Sequence, residues 1–181
     1  MNLIGTLLIA PPAVKNNFWT KSTILVTEHH PHGSCGLILN KRSDLTLQQF
    51  GAQLGFDLNI PGYLYVGGPV NGQSLSFLHT KDWTSKNTMH INDVFSVSSA
   101  DDILPRMAAG DTPIKYRLFL GMAGWSSGQL IGEIKGIPPW EHKNSWCLSK
   151  SDLGLVFDSD GADQWCHCLD RSGLEFAQSI L

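Results

Sequence analysis

The chain has 181 residues, 42% of them hydrophobic and 16% charged, with a net charge of -3. That balance describes one globular domain over residues 1–181, long enough to bury roughly two thirds of its unfolded surface, and excludes a disordered chain. Thirteen Lys and Arg lie scattered among sixteen Asp and Glu with no basic run, which disfavours direct nucleic-acid binding, and no stretch approaches the ~20 apolar residues of a membrane span.

Met1 to Gly5 lacks the basic head and long apolar core of a signal peptide, so a cytoplasmic location is expected and the four cysteines read as thiols. Leu3 to Ala10 reads as a buried strand stopped by Pro11-Pro12. Thr23 to Thr27 is predicted as a second strand, His29 to Ser34 as a turn, and Cys35 to Leu39 as a third strand closing a hairpin. Thr46-Leu-Gln-Gln49 has the capping-box pattern, in which hydroxyl and amide side chains satisfy free amides at a helix start. Leu47, Phe50 and Leu54 follow at helical spacing, and Gly55 is the stop. Tyr63 to Val66 and Ser74 to His79 read as strands around Gly67-Gly68-Pro69, with Val94 to Ser98 as another.

Ser99 to Ala109 has helical character, and Pro105 moves its start toward Asp102. Tyr116, Leu118 and Leu120 alternate with Lys115, Arg117 and Phe119, the pattern of a half-buried strand. Gly121 to Leu130 then reads as that strand emptying through a glycine-rich turn that holds Trp125. A second capping box, Ser126-Ser-Gly-Gln129, opens the following helix. Lys135 to Asn144 reads as an exposed loop, Gly154 to Phe157 as a strand, and Ala162 to Leu169 as a final helix with Trp165 and Leu169 inward. Short strands mixed with a few helices, without regular strand-helix-strand alternation, indicate an α+β fold.

Four segments, in order and in register, resemble the YqgE/AlgH family of bacterial proteins. They are Glu28-His29…Gly33-Ser-Cys-Gly36-Leu37-Ile-Leu-Asn40, Tyr65-Val-Gly67-Gly68-Pro69-Val70…Leu78-His79, Ser98-Ser-Ala-Asp101…Leu104, and Gly121-Met-Ala-Gly124-Trp125…Gly128-Gln129-Leu130. The resemblance implies an α+β fold whose bifurcated, mostly antiparallel sheet curls into a pseudo-barrel with a few flanking helices. It implies a bacterial, cytoplasmic protein of unknown function; members are labelled transcriptional regulators without a recognised DNA-binding motif. The chain departs from the family at Thr23, at Ile131 where an acid is usual, in about seven extra residues before Asn144-Ser-Trp146, and in lacking a Gly-His-Ala ending.

Several motifs offer chemistry. Gly124-Trp-Ser126-Ser-Gly128 has the written form of a nucleophile elbow, with Asp158 or Asp163 and His167 available to complete a triad. The competing reading, in which Ser126 is an N-cap and the glycines seat Trp125, is favoured, since the resembling family carries glycine at that serine position. Free amides at the same helix start suit an anion, and Trp125 could stack on a base. His29, His30, His32 and His79 raise a metal site but lack convergent partners beyond Glu28, so the preferred reading is an exposed turn plus one core histidine, for example His29 with Asn40. Cys166 and Cys168 lie two apart on a helix and point to different sides, Cys168 toward the core. Asp158 to Asp163 is similar to a calcium loop but has its glycine one place early and no closing Glu, so it reads as a turn with Asp160 near a helix start. Gly67-Gly68-Pro69 has a conformational role.

The reading that follows is a non-catalytic protein, with no cofactor and no metal, that binds a small anionic ligand or a protein partner, any effect on transcription being indirect. Its candidate ligand-binding residues are Glu28, His29, Asn40, Gly67, Gly68, Pro69, Gly124, Trp125, Ser126, Gly128 and Gln129. Two rivals remain. One is a direct DNA-binding regulator using a face of Lys15, Lys21, Lys41, Arg42 and Lys115; the other is a serine hydrolase using Ser126.

Overall fold

The computed structural model describes residues 2–99, 103–140 and 145–179. Strands β1 (Thr6–Ile9), β2 (Thr23–His30) and β3 (Gly33–Ile38) open the chain. They are followed by β4 (Arg42–Thr46), helix α1 (Leu47–Gln53), β5 (Tyr63–Val66), β6 (Val70–Thr80), β7 (Thr88–His90) and β8 (Phe95–Ser99). Then come α2 (Ile103–Ala108), β9 (Tyr116–Ser126), α3 (Gln129–Lys135), β10 (Cys147–Lys150), α4 (Leu153–Phe157) and α5 (Gly161–Ser179). The Thr46 box at α1 has both of its reciprocal hydrogen bonds, and Gly55 follows the helix in the left-handed region.

Several expected boundaries move. His29 and His30 belong to β2, so the hairpin turn shrinks to Pro31 and His32. Leu54 is exposed, because it caps α1 and no longer shares its inward face. Gly154 to Phe157 is a helix, since the Asp152 carboxylate accepts from the Leu155 amide and caps it. The expected helix start near Asp102 and the end of the loop at Asn144 lie outside the described residues.

The largest change concerns Gly121 to Ser126, which is not a turn. It is the second half of β9, and the turn falls at Ser127 and Gly128. Gly128 takes φ 71° and is the N-cap of α3, so the expected second capping box is only half made. The Gln129 side chain accepts from the Ser126 amide at 3.0 Å, but the N-cap offers no side chain in return.

The strands form one sheet in the order β10-β1-β2-β3-β9-β6-β8-β7, with β5 on β9 and β4 on β5. Every pairing is antiparallel except β5 with β9. The sheet forks along β9: Leu118–Leu120 pair with β5, and Ala123–Ser126 pair with β3. At the fork Gly67 bridges the branches, donating to the Leu120 carbonyl at 2.9 Å and accepting from the Ile38 amide at 2.9 Å. Backbones touch here, and a Cβ on Gly67 would lie 2.3 Å from the Gly121 carbonyl oxygen.

Alternation along the strands loads both faces of the sheet. Leu7, Leu25, Leu37 and Phe119 point into the concave core that α4 and α5 close with Leu155, Val156, Trp165 and Cys168. Their neighbours Leu8, Ile24, Ile38 and Ala123 point the other way, under Leu130 of α3. Further along, Leu64, Phe77 and Leu118 pack under α1 and α2. The first half of β9 is therefore buried on both faces at Arg117, Leu118 and Phe119, not half-buried, and Arg117 is carried inside with it.

Candidate functional site

The β2–β3 hairpin and the turn before α3 enclose a groove of about 410 Å³ lined by His29, His30, Ser34, Ser127, Gly128 and Ile131. Its walls are tied together. His29 Nδ1 is 2.8 Å from Ser34 Oγ, and the Ser127 hydroxyl donates to the Pro31 carbonyl at 2.7 Å. Glu28 stands beside His30, 3.9 Å from its Nε2, at the exposed rim. Gly124 is paired with Cys35 and exposed, whereas Trp125 is buried behind the groove. Of the expected candidates, Glu28, His29, Gly124, Trp125, Ser126, Gly128 and Gln129 thus share one neighbourhood. Asn40 and Gly67-Gly68-Pro69 lie elsewhere.

Behind the groove sits Glu133, 4% exposed, which the sequence reading missed. Its Oε2 accepts from the indoles of Trp125 at 3.1 Å and Trp146 at 2.9 Å, and its Oε1 from the Gln129 amide at 2.8 Å. Trp19 completes a cluster, stacked on Trp125 at 6.4 Å and edge-on to Trp146 at 5.9 Å. Polar indole edges thus meet the carboxylate while the ring bodies remain in the core. Glu133→Gln turns one acceptor oxygen into a donor among three converging N–H groups, and is expected to cost about 2 kcal/mol. Urea unfolding followed by tryptophan fluorescence would measure the cost, and an unchanged midpoint would refute this account of the cluster.

A second polar node fastens the C-terminal helices. Asn40 is not a groove residue. Its amide donates to the Lys21 and Gly161 carbonyls at 2.7 and 2.8 Å, and its oxygen accepts from the Thr23 amide at 2.9 Å. Beside it Arg117, 7% exposed, donates to the carbonyls of Leu39 at 2.9 Å and Ser159 at 2.7 Å and to the Gln164 side chain at 3.0 Å. Burial lowers the Arg117 pKa, and the Tyr65 phenol beneath it is pushed up to about 12, chiefly by its own burial. The signal available in the sequence was Phe119, two residues on and so on the same face of the strand, an apolar ring that marks that face as covered too.

The remaining candidates are placed as follows. Gly67 and Gly68 form the backbone contact at the fork, and Pro69 leads into β6. The core histidine is His79, not His29: it is 0% exposed, with Nδ1 2.8 Å from the Thr80 carbonyl and Nε2 2.9 Å from Ser98 Oγ. His29 bonds Ser34 and never meets Asn40, because the hairpin holds it at the other end of β2 and β3. Ser126 lies in a strand, not at a sharp elbow. Its hydroxyl is bound to Gln129 at 3.0 Å, while His167 sits 3.4 Å from Ser159. No group of three or more His, Cys, Asp or Glu able to hold a metal occurs among the described residues. Cys168 is in the core, its thiol pushed up to about 11 by burial, and Cys166 is exposed. Asp160 does precede α5, accepting from the Gly161 amide. Of the basic residues, Arg42 pairs with Asp160 at 3.5 Å, Lys115 with Asp158, Lys41 binds the Phe18 carbonyl, and Lys21 lies over the Trp165 ring.

A forked, mostly antiparallel sheet curled into a half-barrel, with helices closing both faces, defines the class: a small α+β half-barrel protein. Residues 7–177 match the AlgH-like family, and the chain belongs to that family. It is similar to the solved AlgH protein from Pseudomonas aeruginosa, with a TM-score of 0.75 and 28% identity over 94% of this chain and 89% of that one. A crystal structure of a protein from Corynebacterium diphtheriae shares the fold, with a TM-score of 0.73 at 23% identity, covering 94% of this chain and 87% of that one. Among relatives, a UPF0301 protein from Parabacteroides distasonis is 33% identical over 95% of this chain and 84% of its own length. One from Azoarcus sp. is 30% identical over 98% and 93%. No helix among the described residues is long and apolar enough to cross a membrane.

Proposed function

We propose that the protein works in the cytoplasm by non-catalytic binding, taking an anionic group of a small ligand or protein partner into the groove between the β2–β3 hairpin and α3. Any influence on transcription is then exerted through that ligand or partner. The observation that carries this reading is the groove itself, where two imidazoles, two serine hydroxyls and a glycine turn line one volume of about 410 Å³. Ile131 in place of a carboxylate leaves the same wall uncharged, which favours an anion there. Direct DNA binding has less support, because Arg42 and Lys115 already face carboxylates.

The test is an amide chemical-shift titration with inorganic phosphate. Saturable shifts at Ser34, Ser127 and Gly128 are expected, weakened about tenfold in His29→Ala, the loss of roughly one charge-assisted hydrogen bond. A flat titration, or equal affinity in a folded His29→Ala, would overturn the groove. DNA fragments at near-physiological salt serve as the contrast, and retained sequence-selective binding would restore the direct regulator.

A further inference from the structure

A second cavity, of about 350 Å³, opens away from that groove, between β5, the start of β9 and the end of α4. Its lining includes the rings of Tyr63, Tyr65, Tyr116 and Phe157 and the cations Lys115 and Arg117. Aromatic walls with cations among them suit a flat apolar body that carries negative charge.

The charges around it do not cancel. Lys115 is bridged to Asp158, and Arg42, which lies 4.4 Å over the Tyr63 ring, is 3.5 Å from Asp160. The Tyr65 phenol donates to Asp160 at 3.1 Å and is held protonated by burial. Among the described residues Arg117 has no carboxylate in salt-bridge contact, and Asp160 and Asp158 act on it only from farther off; its hydrogen-bond partners are the backbone carbonyls of Leu39, Phe157 and Ser159 and the neutral Gln164 amide. Carbonyl dipoles satisfy its N–H groups but do not neutralise it. Among the described residues three cations thus face two carboxylates, each of which is bridged to an exposed cation, and the surplus positive charge is the buried one. A buried charge whose nearest carboxylates are bridged to other cations is costly, so an anion entering this cavity gains what the protein has left underpaired.

We infer that the cavity between β5, β9 and α4 is a binding site for a planar aromatic carboxylate, its ring held among the tyrosines and its charge balanced by Lys115 and Arg117. Inorganic anions fit the charge but not the walls, and neutral aromatics fit the walls but not the charge.

The experiment titrates the full chain with benzoate, benzamide and inorganic phosphate, following amide and tyrosine ring resonances. Benzoate is expected to saturate, with shifts at Tyr63, Tyr65 and Tyr116, and to bind at least about tenfold more tightly than either control, a difference of one charge-assisted contact. Lys115→Met is expected to bring benzoate down toward benzamide while leaving benzamide unchanged. Tyr63→Ala, which removes an exposed ring, is expected to weaken both. Circular dichroism checks that both variants are folded. The inference is overturned if benzoate fails to saturate, if phosphate or benzamide binds as well, if neither folded variant alters benzoate binding, or if the shifts fall on the β2–β3 hairpin.

Discussion

Gly68→Ala is expected to cost about 4 kcal/mol or more, enough to remove a large share of the roughly 5–15 kcal/mol that holds a domain folded. A Cβ built there lies 2.1 Å from the Met122 carbonyl carbon and 2.2 Å from the Ala123 amide nitrogen. Both obstacles are backbone, so no side chain can rotate away. The chain at Gly68 also takes φ 156°, a value that L side chains rarely adopt. Relief requires the two branches of the fork to separate, which breaks the Gly67 bridge between β3 and β9. Gly72→Ala is the control: nothing lies within 4 Å of its Cβ, and it should be close to neutral. Chemical unfolding of the two variants side by side measures the difference; equal midpoints would mean that the fork is not a close backbone contact.

Arg117→Met is expected to destabilise by about 3 kcal/mol or more, since several buried acceptors lose their donor at about 1–3 kcal/mol each. Methionine fills the volume but leaves the carbonyls of Leu39 and Ser159 and the Gln164 oxygen without donors. Arg117→Lys should recover little, because a compact ammonium cannot fork between Leu39 on one side and Ser159 on the other. The loss should be directional. Since these bonds join the sheet to the α4–α5 connection, hydrogen exchange is expected to quicken first in α4 and α5, while β2 and β3 keep their protection. Uniform exchange across the chain would show that Arg117 is not the fastening point.

The neighbourhood of the proposed groove is legible in parts. Glu28, His29, Gly128 and Gln129 could be grouped because a hairpin and a glycine-capped helix leave short, local signatures. Asn40 was grouped with them wrongly. Its neighbours in sequence belong to the hairpin, but its partners are Lys21 and Gly161. Glu133 passed unnoticed because an acid on a short helix reads as surface until two indoles, 8 and 13 residues away, close over it.

The sequence by itself determined the α+β class, the β2–β3 hairpin, the Thr46 capping box and the inward Cys168. Each rests on side-chain periodicity or on hydrogen bonds spanning a few residues, so each is written within one window. Only the tertiary structure decided that Gly121 to Ser126 is strand. Glycines there read locally as a turn, but β3 supplies ladder partners from more than eighty residues upstream, and those bonds outweigh the local preference for bending. It also decided that Arg117 lies inside, since acceptors 78, 47 and 42 residues distant meet its guanidinium only after the sheet has curled and α5 has docked. Local preference is set by neighbours along the chain, whereas burial of a charge is set by whichever distant groups arrive to satisfy it.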